Sequence, residues 1–175
     1  MRLFYYQTNR KNVGDDFNSW LFPKLLPGMI DGSGDHLIGI GSILDRRVNS
    51  LNGRKIIFGT GARDKWSATA LDSSIDVKFV RGPKTANAIY GSDYIVDPAF
   101  LAKDFFEKKP IKRIGFVPYF RNRGISWAKI FNYTDVLIIN PQQDIEHFMA
   151  QIGSCEKVFS ESLHGAIFAD ALRIP

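Results

Sequence analysis

Short apolar runs recur along the chain, and most are followed by a glycine-bearing turn and then by a helical pattern. The runs occupy residues 2–7, 36–40, 55–58, 76–80, 113–117, 136–139 and 157–159. Alternation of this kind predicts βαβ units and a mostly parallel sheet, hence an α/β fold. Ile56-Ile57-Phe58 and Val136-Leu137-Ile138-Ile139 are continuously apolar, as strands covered on both faces should be. Helices are predicted over 16–26, 83–89, 127–131, 144–152 and 162–172. In the last of these Leu163, Ala166, Ile167 and Ala171 recur at helical spacing.

A change of composition falls between Asp97-Pro98 and Pro110, where a charged stretch precedes a fresh strand. It reads as a linker between two Rossmann-like lobes, an N-terminal one over 1–100 and a C-terminal one over 110–175. The second lobe has roughly three βα units, against the five or six strands usual in a doubly wound domain, so it is expected to be incomplete. No internal repeat or low-complexity segment interrupts the pattern.

Composition narrows the class. An apolar share of 45% over 175 residues supports a packed core and excludes a disordered chain. The one cysteine, Cys155, excludes a disulfide framework and fits a reducing compartment. No signal peptide or membrane-spanning run is read, so a soluble cytoplasmic protein is expected. The net charge of +5 invites an anionic partner. Its densest groups are Arg46-Arg47, Lys108-Lys109-Pro110-Ile111-Lys112-Arg113 and Arg121-Asn122-Arg123. None carries the interleaved aromatics of a nucleic-acid platform, so an anionic small molecule is expected and nucleic acid is not.

Candidate chemistry lies in the turns. In Asn12-Val13-Gly14-Asp15-Asp16-Phe17-Asn18, Gly14 permits a left-handed or close-approach backbone and Asp15 or Asp16 can cap the helix. This segment is either a loop touching substrate or a plain capped turn. Gly39-Ile40-Gly41-Ser42-Ile43-Leu44 has Leu44 where a dinucleotide fingerprint needs its third glycine. With Phe58-Gly59-Thr60-Gly61-Ala62 it forms a pair of strand-end turns around Gly41 and Gly61. They would either present open backbone amides to an anion or sugar or serve as plain βα turns. Arg81 leaves a strand at its carboxyl end, and Pro83 and Lys84 open the next helix; a guanidinium and an ammonium there suit a phosphate or carboxylate, the alternative being a surface ion pair. Tyr119 could stack on a sugar and Arg121 could pair with an anion, or the turn could merely hold a half-buried aromatic. In Ser160-Glu161-Ser162-Leu163-His164-Gly165-Ala166, either serine can cap the helix and the His164 imidazole can give or take a proton. His164 is either an acid/base group or a structural histidine. His36 and His147 receive no role, Cys155 is expected to be inert, and no His/Cys/carboxylate cluster has metal-ligand spacing.

Taken in order, these segments resemble the polysaccharide pyruvyl transferases. The matching pieces are Asn12-x-Gly14-Asp15-Asp16-x-Asn18, Gly39 to Leu44, Phe58 to Gly61, Val80 to Pro83, Asp97-Pro98-Ala99, Gly115-x-x-Pro118, and Ser160-x-Ser162-Leu163-His164-Gly165 ending in Ile174-Pro175. The doubled aspartate looks most like the ketolase branch of succinoglycan-type biosynthesis. The resemblance implies two Rossmann-like lobes similar to the B-type glycosyltransferases, with the site in the cleft. It implies phosphoenolpyruvate as donor substrate, no cofactor, and a saccharide or lipid-linked oligosaccharide as acceptor. Peripheral membrane association and homo-oligomerisation stay open. Carried over residue by residue, Arg81 clamps the donor's phosphate or carboxylate and His164 is the general acid or base. Ser162, Leu163 and Gly165 shape the donor pocket, with Asn12, Gly14 and Asp15 on the first lobe's side. Family members continue beyond the position of Ile174-Pro175, so the resemblance implies a chain truncated at its C-terminus. The competing functions are a B-type glycosyltransferase using a nucleotide sugar and a non-catalytic glycan-binding remnant.

Overall fold

The computed structural model describes residues 1–63, 73–89, 91–111, 113–121, 125–132 and 134–175. Lys112 and Arg123, named above among the basic groups, lie outside the described residues. The fold is α/β with parallel sheets, and the chain divides into two compact units. Residues 1–7 and 15–98 form the first; residues 8–14 and 99–175 form the second.

The first unit holds a sheet in the chain order β1 (Arg2–Leu3), β2 (His36–Ile38), β3 (Lys55–Phe58), β4 (Ile75–Phe79), every described pair parallel. β1 is shorter than the apolar run at 2–7, yet Phe4 N–H still donates to Leu37 O at 2.9 Å. Beyond it Phe4, Tyr5 and Tyr6 turn to packing on the core of Ile38, Ile43, Leu44, Val48, Ile57 and Val80. All three residues of β2 are buried, as its position inside the sheet requires. Past β4, Val80 pairs in parallel with Tyr94, an extra sheet contact that the hydrophobic pattern did not predict.

Helix α1 (Val13–Leu25) starts three residues before the predicted boundary at 16. The reason lies in the second unit's share of the helix, where Val13 N–H donates to Pro141 O at 3.0 Å and one free amide of the first turn is satisfied. In the first unit, Phe17, Leu21 and Phe22 recur along the helix and are buried. Gly39 makes room for one of them: a Cβ there would lie 2.3 Å from the Phe22 ring. Among the described residues the unit also holds two short helices, α2 (Arg46–Asn49), capped by Asp45 accepting from Arg47 N–H, and α3 (Pro83–Ala88), with proline at its start. The four residues of α2 were too few for a period to register in the sequence.

The second unit holds β5 (Ile114–Val117), α4 (Trp127–Ile130), β6 (Val136–Ile138), α5 (Ile145–Gly153), β7 (Lys157–Ser160) and α6 (Leu163–Ala171). Residues 98–104, read above as part of a linker, form a 3-10 helix with Ala99 and Ala102 buried. The strand order is β6-β5-β7, all parallel. Ile145, Phe148, Met149 and Ile152 fall at i, i+3, i+4 and i+7 of α5 and are all buried. The Phe148 and Phe168 rings meet edge to face at 5.9 Å, joining α5 to α6. Cys155 is buried beside Gly115, where a Cβ would lie 2.8 Å from its sulfur. Burial pushes its thiol pKa up, which suppresses the thiolate and agrees with an inert cysteine. No helix among the described residues is long and apolar enough to cross a membrane.

His36, at the start of β2, is buried, and desolvation first and the Arg2 charge second hold its pKa below the ordinary value. Lys55 acts in the same direction, while the Asn52 backbone and Asp35 oppose it. The unfolded chain therefore takes up this proton before the folded one as pH falls. The contribution is fully present above the unfolded value of about 6.5 and declines below it. Urea unfolding at pH 7.5 and 5.5 should show wild type losing more stability on acidification than His36→Gln; equal losses would contradict the assignment.

Candidate functional site

In the first unit the turns at the carboxyl ends of β2, β3 and β4 meet around one guanidinium. The β2 turn is tied down by Asn18, whose Oδ1 accepts from Ile40 N–H at 2.9 Å and whose Nδ2 donates to Ile40 O at 3.0 Å and Asp15 O at 2.8 Å. Gly41 then adopts φ +124°, a region side chains rarely enter, with the Asp15 carboxylate against it. Gly61 N–H donates to Gly41 O at 2.8 Å, and Thr60 Oγ1 donates to the same carbonyl at 2.9 Å. The Gly61 amide is thus used in bonding turn to turn and is not open to a ligand, while side chains converge on the same place.

The chief of these side chains is Arg81. Its Nη2 donates to Ser42 Oγ at 2.8 Å, and its Nη1 lies 3.5 Å from Asp97 Oδ2. Its guanidinium rests on Gly61, where a Cβ would lie 2.5–2.8 Å from Nη2, Cζ and Nε. The ion pair foreseen as a surface alternative exists, but it is internal: the Arg81 side chain is 20% exposed and that of Asp97 only 1%. Arg81 also lines a cavity of about 610 Å³ together with Arg63, Lys84, Gly82 and Thr85. Three cationic side chains on one cavity favour an anion.

In the second unit the order β6-β5-β7 sets β5 between the two strands that follow it. The chain leaves β5 toward β6; after β7 it returns through α6 to Pro175, whose carbonyl accepts from Val158 N–H at 2.8 Å on the edge away from β5. The connections after β5 and β7 therefore part in opposite directions, and such a switch point is where parallel sheets bind ligands. Both predicted turns lie there. Glu161 N–H donates to Val117 O at 2.9 Å, and the Glu161 carboxylate accepts from Tyr119 N–H at 2.9 Å, so the two turns are fastened to each other.

The choice between the two serines is resolved by geometry. Ser162 is the N-cap of α6, its hydroxyl accepting from Gly165 N–H at 3.4 Å. Ser160 braces the cap: its hydroxyl donates to Ser162 O at 2.7 Å and accepts from Ser162 N–H at 3.1 Å. Gly165 brings the helix onto β5 and β7, since a Cβ there would lie 2.4 Å from Ser160 Oγ and 2.9 Å from Val117 Cγ1. In the first turn of the helix His164 is buried, its ring 6.3 Å from that of Phe168. The imidazole faces Gly14: a Cβ at that position would lie 1.9 Å from Nδ1. Segment 8–14 is held in this unit by the Val13 bond to Pro141 and by an ion pair between Lys11 and Asp144. Gly14 thus serves close approach, and its φ is not in the left-handed region.

The predicted residues separate by unit. Asp15, Gly41, Gly61, Arg81 and Lys84 fall in the first; Asn12, Gly14, Tyr119, Arg121, Ser162, Leu163, His164 and Gly165 fall in the second. Leu163 is exposed at the head of α6, and Asn12 is half-buried. Tyr119 is exposed and meets Phe120 edge to face, while Arg121 lies over the Phe120 ring at 5.1 Å. Sequence reasoning did not assign Ser42, Arg63, Asp97 or Glu161. Ser42, Asp97 and Glu161 stood inside quoted motifs, but their partners are distant in sequence; Arg63 carried no signal. Among the described residues no group of three or more His, Cys, Asp or Glu could hold a metal ion.

A family model described as polysaccharide pyruvyl transferase matches residues 2–175. The succinoglycan biosynthesis protein ExoV of Rhizobium meliloti (strain 1021) is 32% identical over 184 residues, a match covering 100% of this chain and 58% of that protein. The uncharacterized protein L143 of Acanthamoeba polyphaga mimivirus is 28% identical over 193 residues, covering 98% of this chain and 64% of that protein. The chain thus spans about three-fifths of the length of these relatives. No solved structure matches it significantly.

The seat of His164 can be tested by filling it. Gly14→Ala should destabilise the protein by about 1–3 kcal/mol through overpacking and shift the His164 imidazole resonances. Gly82→Ala, at extended φ with nothing within 4 Å of its Cβ, should do neither. Thermal unfolding and imidazole NMR read both effects, and unchanged His164 resonances in Gly14→Ala would contradict the packing.

Proposed function

Since the chain belongs to the polysaccharide pyruvyl transferase family, we propose that it transfers pyruvate from phosphoenolpyruvate to a saccharide hydroxyl pair as a ketal, in exopolysaccharide or cell-wall glycan synthesis. The observation that carries the reading is the family match along residues 2–175, which includes the capped turn that seats His164 at the switch point. The two parallel-sheet units are read as the Rossmann-like lobes of a fold resembling the B-type glycosyltransferases. Phosphoenolpyruvate is the donor substrate and no resident cofactor is invoked. The acceptor is a saccharide or lipid-linked oligosaccharide, and the buried Cys155 fits a reducing, cytoplasmic setting.

The chemistry assigns roles. One acceptor hydroxyl adds to C2 of phosphoenolpyruvate as the methylene carbon takes up a proton. The C2–O bond to phosphate breaks, and the second hydroxyl adds to the same carbon to close the ketal. Of the two hydroxyl protons released, one ends on the new methyl group and one on phosphate. His164 is the group proposed to carry a proton between hydroxyl and methylene, since an imidazole exchanges protons near neutral pH. Ser160, Ser162 and Gly14 fix its position. Arg81 is proposed to hold a donor oxyanion with its oriented N–H groups, and Lys84 adds charge in the same cavity. Tyr119 is proposed as a stacking face for the sugar.

Phosphoenolpyruvate should raise the thermal midpoint of wild type, and Arg81→Ala should lose that shift. His164→Ala should keep the shift yet lose phosphate release with acceptor by about 10²–10⁴-fold. Stabilisation by a nucleotide sugar alone would replace this reading with glycosyl transfer. Silence with every donor would point to a glycan-binding remnant, and a fully active His164→Ala would remove the proton-carrier role.

A further inference from the structure

Asp97 is an unusual residue to find where it is. Its side chain is 1% exposed, and a carboxylate is costly to bury unless something opposes its charge. Arg81 supplies an opposing charge at 3.5 Å, and Arg81 lines the cavity with Arg63 and Lys84. The backbone around Asp97 is fixed independently of that pair. Pro98 fills the space left by Gly59, where φ is +89° and a Cβ would lie 2.4 Å from the proline Cγ. On the other side, Val80 N–H donates to Asp93 O at 2.9 Å and Ile95 N–H to Val80 O at 3.2 Å, tying residues 93–95 to the end of β4 just before Arg81.

We propose that Asp97 is the positioning residue for Arg81: with Ser42 and Gly61 it holds the guanidinium in one orientation at the cavity wall, so that an oxyanion meets a fixed set of N–H donors. Ser42 anchors Nη2 from the β2 turn, Gly61 supports the flat face from the β3 turn, and Asp97 draws Nη1 from the turn after residue 95. Three separate turns thereby remove the freedom of a side chain that otherwise has many rotamers, a preorganisation that favours binding. The carboxylate also offsets the charge of Arg81, so this arginine contributes oriented donors while Arg63 and Lys84 supply net charge to the cavity. The inference rests on the reading of Arg81 as an anion holder, and not on the identity of the acceptor or on turnover.

The test is calorimetric titration with phosphoenolpyruvate and with inorganic phosphate. Asp97→Asn should weaken phosphoenolpyruvate binding by about tenfold or more while the thermal midpoint still reports a folded protein. In an Arg81→Lys background, where a flexible ammonium needs no fixed orientation, the same change should cost less than about twofold. A purely structural role for Asp97 would give equal losses in both backgrounds and overturn the proposal, as would unchanged affinity in Asp97→Asn. If Asp97→Asn does not fold, Asp97→Glu keeps the charge and moves the carboxylate: weakened binding that is absent in the Arg81→Lys background supports the proposal, and unchanged binding overturns it. Wild type binding neither probe would remove the anion reading itself and the proposal with it; wild-type binding that Asp97→Asn leaves intact removes the proposal alone.

Discussion

The imidazole of His164 and the guanidinium of Arg81 each lie in volume that a side chain on the opposing backbone would claim, at Gly14 and at Gly61. Distances of 1.9 Å and 2.5 Å to a hypothetical Cβ leave no room for the smallest substitution without movement. Protein interiors are packed to crystal density, so such a void is filled by whatever is aimed into it. The same device recurs behind the two groups. Gly165 brings the head of α6 down to Ser160 and Val117, and Gly59 receives Pro98 next to Asp97. In this chain the glycines of the strand-end turns act mainly as sockets for neighbouring side chains.

Sockets matter because the residues they hold are polar and largely buried. A guanidinium that is 20% exposed needs partners for its donors; Ser42 accepts from Nη2, while Asp97 pairs with Nη1 by charge at 3.5 Å and not through a hydrogen bond. The head of α6 has the matching requirement for its free amides, met by Ser162 with Ser160 behind it. Local satisfaction of this kind turns a flexible arginine and a histidine into groups with defined directions. Directed donors and a positioned imidazole are what the proposed addition to an enol phosphate would draw on.

Position within each sheet comes from topology. In the second unit the order β6-β5-β7 makes the ends of β5 and β7 diverge, and the Glu161 bonds to Val117 and Tyr119 hold the two exits side by side. In the first unit the strands run in chain order, and what gathers the turns is the hydrogen bonding of Gly61 and Thr60 to Gly41 together with the shared contact to Arg81. Two different arrangements therefore bring motif residues to the carboxyl ends of parallel strands.

The apolar runs, the turn glycines and the capping hydroxyls were local signals, and they were sufficient for the α/β class, for the strand at 55–58 to the residue, and for placing His164 in the first turn of a helix, though not for choosing between Ser160 and Ser162 as its cap. They sufficed because strand burial, capping and turn conformation depend on neighbours within a few residues. The family resemblance was legible for the same reason, each motif being a short contiguous block. What the sequence could not contain was the partner of each block. Nothing local tells that Gly14 faces His164 rather than adopting a left-handed turn, that the Gly61 amide is spent on Gly41, that Asp97 lies against Arg81, or that residues 8–14 belong to the unit formed mainly by the second half of the chain. Those pairings span from sixteen to one hundred and fifty residues of chain. Only strand order, register and close packing, which exist once the whole chain has folded, decide them.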